Sequence, residues 1–335
     1  MNMPHRSSPP RRLQQGLTLV ELMVGLTLGL VITTSLLLLF ANASANGQNL
    51  ARSGVQIENG RYVSELLRDD LRLAGFYGET SVVGATYATS DPCSTAPANW
   101  NGIPFTLPNP VQGYGPSEVL ACLTNRKAGT YAIAVRRVGV ETVDPATLSA
   151  SNTQNYVQYS FCIDDVATPR LIFGTDHTLF ALRNRACSAT NTVRRYVSRI
   201  YYVATCNRCG TGDTTPTLKR VDLVGNQLVT TALAEGIDEL RFEYGFDNDG
   251  NGSADTYRTA LGALGPSAAW SNVMTVKAHF VTRSLDKAVG SQLATAQQFQ
   301  LGGAGTVNTT EDGYTRRAYS SAIRLVNPSS VRELQ

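Results

Sequence analysis

Residues 17–41 read LTLVELMVGLTLGLVITTSLLLLFA, preceded by Gln15-Gly16, and this stretch decides the fold. It is apolar throughout apart from Glu21, Thr18, Thr27, Thr33, Thr34 and Ser35. As a helix rising 1.5 Å per residue it spans roughly 37 Å, more than the hydrocarbon core of a bilayer at about 30 Å. Upstream, residues 4–16 (PHRSSPPRRLQQG) are basic and contain prolines, without any periodicity. Gly25 and Gly29 lie four apart on one helix face, a spacing that lets a neighbouring backbone approach, although glycine is also common in membrane helices generally.

Three readings compete for this segment. A secretory signal peptide would find an A-x-A site at Ala41-Asn42-Ala43, but the apolar region of such peptides runs to about 7–15 residues and this one is longer. Arg11-Arg12 alone is too little for a twin-arginine signal. A plain anchor would leave Glu21 reaching for the membrane interface from one end of the span. Against that, a carboxylate inside a membrane segment costs a few kcal/mol and is a functional hypothesis by default.

The third reading uses every residue. Gln15-Gly16-Leu17-Thr18-Leu19-Val20-Glu21 closely resembles the class III signal of type IV prepilins: a short basic leader ending in glycine, an apolar first mature residue, and glutamate at the fifth mature position. The resemblance implies cleavage between Gly16 and Leu17 by a prepilin peptidase, and N-methylation of Leu17. It also implies an assembly salt bridge, Glu21 of one subunit neutralising the new amine of a neighbour so that both can be buried. Gly16, lacking a side chain, lets the scissile peptide enter a tight membrane-embedded site. Leucine stands at position 17, where the family most often has phenylalanine.

Bulk properties fit an exported head behind this anchor. The formal net charge of the 335 residues is +3, and Arg6, Arg11 and Arg12 account for all of it, leaving residues 17–335 neutral. A neutral domain exerts no long-range pull on nucleic acid, so DNA binding is not expected beyond a local patch at Arg194, Arg195 and Arg199. The six cysteines, Cys93, Cys122, Cys162, Cys187, Cys206 and Cys209, all follow the apolar segment and indicate disulfides made in an oxidising compartment, here the periplasm. Six allow fifteen pairings; near-neighbour pairing (93–122, 162–187, 206–209) is the expectation.

Beyond Ala41 a helical stripe continues through Leu50, Ile57, Val63, Leu66, Leu67, Leu71 and Ala74, with Arg61 and Glu65 paired on the solvated side. Gly47, Gly54 and Gly60 each weaken that helix by up to about 1 kcal/mol relative to alanine. The helix is expected to end near Gly75. Residues 76–130 are rich in Gly, Pro, Ser, Thr and Asn and read as irregular. Strand-like runs follow at 131–138, 155–163, 170–174, 194–204, 217–224, 238–246, 272–284 and 314–327, the last leading into a frayed tail. In Arg241-Phe242-Glu243-Tyr244-Gly245-Phe246 the aromatics share one face. No βαβ period is visible, so the sheet should be antiparallel.

The stretches Leu218-Lys219-Arg220, Leu233 to Leu240, Tyr244-Gly245-Phe246-Asp247, and Trp270 with Val273 through Arg283 resemble the PilW family of type IV pilus assembly proteins. With the leader motif this gives a pilin-like α+β fold: a long N-terminal helix, transmembrane in its first half and amphipathic in its second, packed on a mainly antiparallel β-sheet head. The divisions are residues 1–16 (leader), 17–41 (membrane half), 42–75 (amphipathic half) and 76–335 (head). The resemblance implies a minor pilin that primes or supports pilus assembly from the inner membrane, single-pass with a periplasmic head. Its implied partners are the prepilin peptidase, other minor pilins, the major pilin, a tip adhesin and the inner-membrane assembly platform. A large J-type minor pseudopilin of a type II secretion system would carry the same anchor, and remains the alternative alongside a calcium-dependent adhesive head.

Few residues suggest chemistry. Asp247-Asn248-Asp249-Gly250-Asn251-Gly252-Ser253-Ala254-Asp255 places oxygens at positions one, three, five and nine and glycine at six, like the first part of a calcium loop, with Asp247, Asp249, Asn251 and Asp255 as ligands. The bidentate acid at position twelve is replaced by Arg258, so either the affinity is weak or another residue, such as Asp238 or Glu239, completes the shell. The same composition also makes a solvated turn without metal. Cys206-Asn207-Arg208-Cys209 is a CxxC lacking the further ligands of a zinc site and the βαβ context of a redox fold. His5 falls in the leader, His177 in a turn and His279 in a strand, the last read as structural. No GxSxG, P-loop or HExxH is present, and an enzyme is not expected.

Overall fold

The computed structural model describes residues 16, 18–78, 86–95, 106–165, 171–259, 270–287 and 296–333; residues 1–15 of the leader and Leu17, the expected methylation site, lie outside these. Helix α1 runs unbroken over Leu19–Arg72, as the absence of proline allows. Just past its end, Gly75 sits at φ +70° and donates its N–H to Arg136 O at 2.9 Å. The left-handed conformation that glycine tolerates is thus what stops the helix. The chain divides into two compact units, one through Ala51 and one from Arg52 onward.

In the second unit α1 buries Gln56, Gly60, Val63, Leu67, Asp70 and Leu71. The seam is therefore narrower than the sequence stripe. Leu50 and Ile57 are exposed, and polar Gln56 and Asp70 take places in it because each finds partners in the sheet. Gln56 Nε2 donates to Thr282 O at 3.1 Å and Thr315 O at 2.9 Å. On the opposite side Arg61 Nε meets Glu65 Oε1 at 3.1 Å.

The head contains two main sheets. The larger is built from β3 (Val111–Tyr114), β4 (Ala132–Val143), β5 (Tyr156–Tyr159), β6 (Leu171–Gly174), β7 (Val193–Ala204), β8 (Thr217–Val224) and β9 (Gln227–Glu235). Its order is β3-β4-β7-β5-β6, with β8 and β9 extending from the second half of β7. The smaller sheet has the order β11-β10-β12-β15, from β10 (Ile237–Phe246), β11 (Thr256–Arg258), β12 (Val273–Arg283) and β15 (Arg316–Arg324). Both are antiparallel throughout. Two short pairs stand apart: parallel β1 (Thr86–Ala88) with β2 (Thr106–Pro108), and antiparallel β13 (Gln298–Gln300) with β14 (Thr306–Asn308).

One core joins the three layers. Val63, Leu67, Leu71 and Ala74 of the helical segment pack with Ile133, Val135, Tyr201 and Val203 of the large sheet and with Leu240, Phe242, Tyr244 and Phe246 of the small one. The aromatics of β10 do share a face. The far side of the large sheet is also covered: Ala132, Ala134, Ile200 and Tyr202 pack under Tyr114 and Leu123. Part of the region read as irregular thus forms β1, β2 and β3 and roofs a sheet.

Two other expectations change. The residues after the last strand form a second helix, α2 (Val326–Glu333), rather than a frayed tail. Asn327 Nδ2 donates to Ala74 O at 3.1 Å and Arg72 O at 3.4 Å, satisfying carbonyls where α1 ends. Strand β9, absent from the sequence reading, pairs with β8 across a two-residue Gly225-Asn226 turn with Gly225 at φ +61°, a hairpin signal that was legible. The chain then crosses from one sheet to the other at Gly236 (φ +74°), where an added Cβ would lie 2.6 Å from Arg283 O. Only glycine fits that corner.

Candidate functional site

The first site is the start of α1. Thr18 caps it: its N–H and hydroxyl both lie 3.0 Å from Glu21 Oε2, and the Glu21 N–H donates to Thr18 Oγ1 at 3.3 Å. This is a reciprocal capping box, encoded by Thr-x-x-Glu and overlooked in the sequence. Glu21 Oε1 accepts nothing among the described residues. Its carboxylate is thus fixed at the helix N-terminus, with one oxygen held and one available. Gly16, on the leader side of the expected cleavage point, is exposed.

Following Glu21, the apolar side chains from Leu22 to Phe40 are all more than half exposed. The hydroxyls among them bond back to the helix: Thr33 to Gly29 O and Thr34 to Leu30 O at 2.7 Å, Ser35 to Val31 O at 2.8 Å, Thr27 to Met23 O at 3.0 Å. Every donor in this stretch is therefore satisfied within the helix, as a span in hydrocarbon requires. Nothing lies within 4 Å of a Cβ placed on Gly25 or Gly29, so both are open to a neighbouring helix.

In the head, Asp70 is the polar centre of the helix seam. Its Oδ1 accepts from Arg137 Nε at 3.1 Å and Arg199 Nη1 at 2.9 Å, and its Oδ2 from Tyr201 OH at 2.9 Å. Arg199 also meets Asp222 at 3.0 Å, and Arg194 lies over the Phe76 ring at 5.7 Å and donates to Gly139 O. The arginine patch considered for DNA is therefore committed to internal contacts at Arg194 and Arg199.

The 247–255 loop joins β10 to β11 and brings together ligand atoms of Asp247, Asp249 and Asp255 within 4.8 Å of one another. Asp247, only 2% exposed, accepts from Gly250 N at 2.7 Å and Gly252 N at 2.9 Å. Burial works to raise its carboxyl pKa, but these amides outweigh it and hold the group below the ordinary range. Asn251 Oδ1 is taken by Ser253 N at 2.7 Å. Asp238 and Glu239 do not complete the shell. They stand at the opposite end of β10, where Asp238 pairs with Lys127 and Arg316 and Glu239 with Arg241.

The disulfides are Cys93–Cys122, Cys162–Cys187 and Cys206–Cys209. His279, 4% exposed, is held between Glu243 Oε1 at 2.8 Å and Ser320 Oγ at 2.9 Å. His177 opens an exposed short helical turn beside Asp176.

Residues 11–37 match the model of the prokaryotic N-terminal methylation motif, and residues 200–327 match that of type IV pilus-assembly protein W. The two matches support a PilW-like type IV pilin. No curated protein and no solved structure matches it. They support a minor-pilin role in the type IV pilus, and the methylation motif with the exposed apolar helix suggests anchoring to a membrane by the N-terminal helix. The motif match spans Gly16, Leu17 and Glu21, and the second match runs from late β7 to the start of α2, past Arg283 where the stretches of sequence resemblance end. The PilW-like region therefore includes the small sheet, the corner at Gly236, the CxxC and the 247–255 loop. The first half of the large sheet falls outside both matches.

Proposed function

We propose that a prepilin peptidase cuts this chain between Gly16 and Leu17, that Leu17 is N-methylated, and that the subunit waits in the inner membrane with its head in the periplasm. From there it enters the pilus base or tip and primes assembly with other minor pilins, the major pilin and a tip adhesin on the inner-membrane platform. The observation carrying this reading is Glu21, capped through one oxygen and without a partner on the other among the described residues, at the start of an apolar helical stretch whose side chains are more than half exposed. Cleavage creates a cation one turn away from that anion. In a helix bundle the free oxygen can take the amine of a neighbour, offsetting the desolvation of both charges.

Co-expression with a prepilin peptidase, followed by intact mass and N-terminal sequencing, is expected to return methylated Leu17 as the first residue. A mature protein beginning at Met1, or beyond Ala41, overturns the reading. Glu21→Leu is expected to be processed yet to fail to co-purify with other pilins. Recovery of secretion-system pseudopilins as the partners would move the chain to the J-type alternative.

A second reading concerns the 247–255 loop, favoured by the convergence of three carboxylates within 4.8 Å. Calcium bound by Asp247, Asp249 and Asp255 relieves their mutual repulsion and stiffens the turn beneath α2. Calorimetry on the full chain in detergent is expected to detect calcium binding that Asp249→Asn removes. No heat of binding overturns it.

A further inference from the structure

The CxxC turn connects β7 to β8, and its two sulfurs live in different surroundings. Cys206 is buried at 5% exposure, with Thr205 Oγ1 3.7 Å from its Sγ, whereas Cys209 is partly open to solvent. Lys219, from the middle of β8, places its Nζ 3.3 Å from Cys209 Sγ. The register fixes this side chain, since Lys219 pairs with Tyr202 on one side and Ala232 on the other. Lys219 is 8% exposed, and among the described residues no carboxylate pairs with its ammonium. Burial pulls its pKa below the usual lysine range, opposed by the more distant Asp213. A buried cation with a sulfur as its near neighbour is better matched by a thiolate than by a neutral disulfide.

The acids around the turn have other partners. Asp213 Oδ2 accepts the N–H groups of Asn207 at 2.7 Å and Arg208 at 2.8 Å. Glu235 of β9 accepts from the Asn207 side chain. Both acids are thus occupied with the inner residues of the turn, while Lys219 Nζ at 3.3 Å and the Cys206 carbonyl oxygen at 3.4 Å face the outer sulfur. The bond also closes a ring across a sequence separation of 3, against 29 and 25 for the other two, so it removes the least chain entropy from the unfolded state. Stapling is its weakest use.

We propose that Cys206–Cys209 is a thiol–disulfide exchange site, with Cys209 the attacking thiolate, Lys219 its stabilising cation and Cys206 the resolving thiol. The partner is a protein of the dithiol–disulfide class. The reduced Cys209 thiolate attacks one sulfur of the partner's disulfide, forming a mixed disulfide and releasing the partner's other sulfur as thiolate. Cys206 then loses its proton to solvent and attacks Cys209 Sγ, closing the internal bond and expelling the partner's remaining sulfur. Two electrons pass to the partner, whose thiolates take up two protons; a dithiol partner runs the sequence backwards.

The test is a redox titration of the full chain in detergent, in buffers of oxidised and reduced dithiothreitol, with acid quenching, alkylation and peptide mapping. Cys206–Cys209 is expected to open at an oxidised-to-reduced ratio about tenfold or more higher than the other two bonds require. Lys219→Gln is expected to remove most of that gap and Lys219→Arg to restore it. In Cys206→Ser, the iodoacetamide rate of Cys209 is expected to rise at a pH about one unit below that of an ordinary thiol, and Lys219→Gln to shift that profile back. The proposal is overturned if the bond opens together with or after the others, or if the Cys209 profile is ordinary or indifferent to Lys219. The wild-type titration needs no variant to fold.

Discussion

Helix propensity ranks Gly60→Ala as an improvement, worth up to about 1 kcal/mol in a helix interior. The packing reverses that sign. A Cβ at position 60 would lie 2.3 Å from Tyr319 Cζ and 2.5 Å from Cε2. That ring is not a loose end: it stacks on Phe280 with centroids 5.2 Å apart, and its hydroxyl lies 3.4 Å from Gln56 O. Forcing a methyl into such a contact costs about 1–3 kcal/mol, and losing the aromatic pair a further 0.5–1.5 kcal/mol or so. Set against the propensity gain, the net is a destabilisation of about 1–3 kcal/mol. At about 2–4 °C per kcal/mol the melting temperature should fall by roughly 2–12 °C. Near-ultraviolet circular dichroism of the full chain in detergent, followed on heating, reads this because it reports packed aromatics rather than helix content. Gly54→Ala is the control: nothing lies within 4 Å of its Cβ, so it should stabilise by up to about 1 kcal/mol. Tyr319→Ser should rescue Gly60→Ala in a double-mutant cycle. If Gly60→Ala melts at or above the parent temperature, the contact between α1 and β15 is not what requires glycine.

Leu67→Ala, at a fully buried position in the core shared by helix and both sheets, should cost about 2–5 kcal/mol in the same melt. Replacing Cys93 and Cys122 by serine should cost about 3–4 kcal/mol for a separation of 29, against about 2 kcal/mol for the pair separated by 3, measured by denaturant unfolding. Acid should probe Asp312, whose carboxyl the Arg316 guanidinium holds down at about 2. An unfolded aspartate titrates near 3.9, so between these values the unfolded state binds the extra proton. The stability from this pair is therefore present above about pH 4 and lost as the pH falls towards 2. Asp312→Asn should flatten the melting temperature across that window, and an unchanged acid slope would refute the assignment.

Legibility followed the range of the forces involved. The apolar helix and the acid at its start, Glu21, were plain in the sequence because each depends on composition and spacing along one helix. The cores of β4, β7, β8, β10 and β12 were plain for the same reason, an alternating or continuous apolar run being local. Strand β9 was missed although Gly225-Asn226 announced its hairpin, because its apolar residues, Leu228, Val229, Ala232, Leu233 and Ala234, do not alternate and most of the strand stays exposed. Helix α2 was missed because its stop and start depend on Asn327 reaching carbonyls at the end of α1, 253 residues earlier.

What the linear sequence determined, then, is which segments are apolar enough to leave water. Only the folded chain decided which polar residues could go with them. Gln56 and Asp70 are buried because distant carbonyls, arginines and a tyrosine meet them there, and Gly60 and Gly236 are obligatory because Tyr319 and Arg283 arrive from the other end of the chain. Lys219 touches Cys209 through strand register alone. Burial of an apolar side chain needs only an absence of water, whereas burial of a polar or bare backbone position needs a particular partner, and that partner is set by topology.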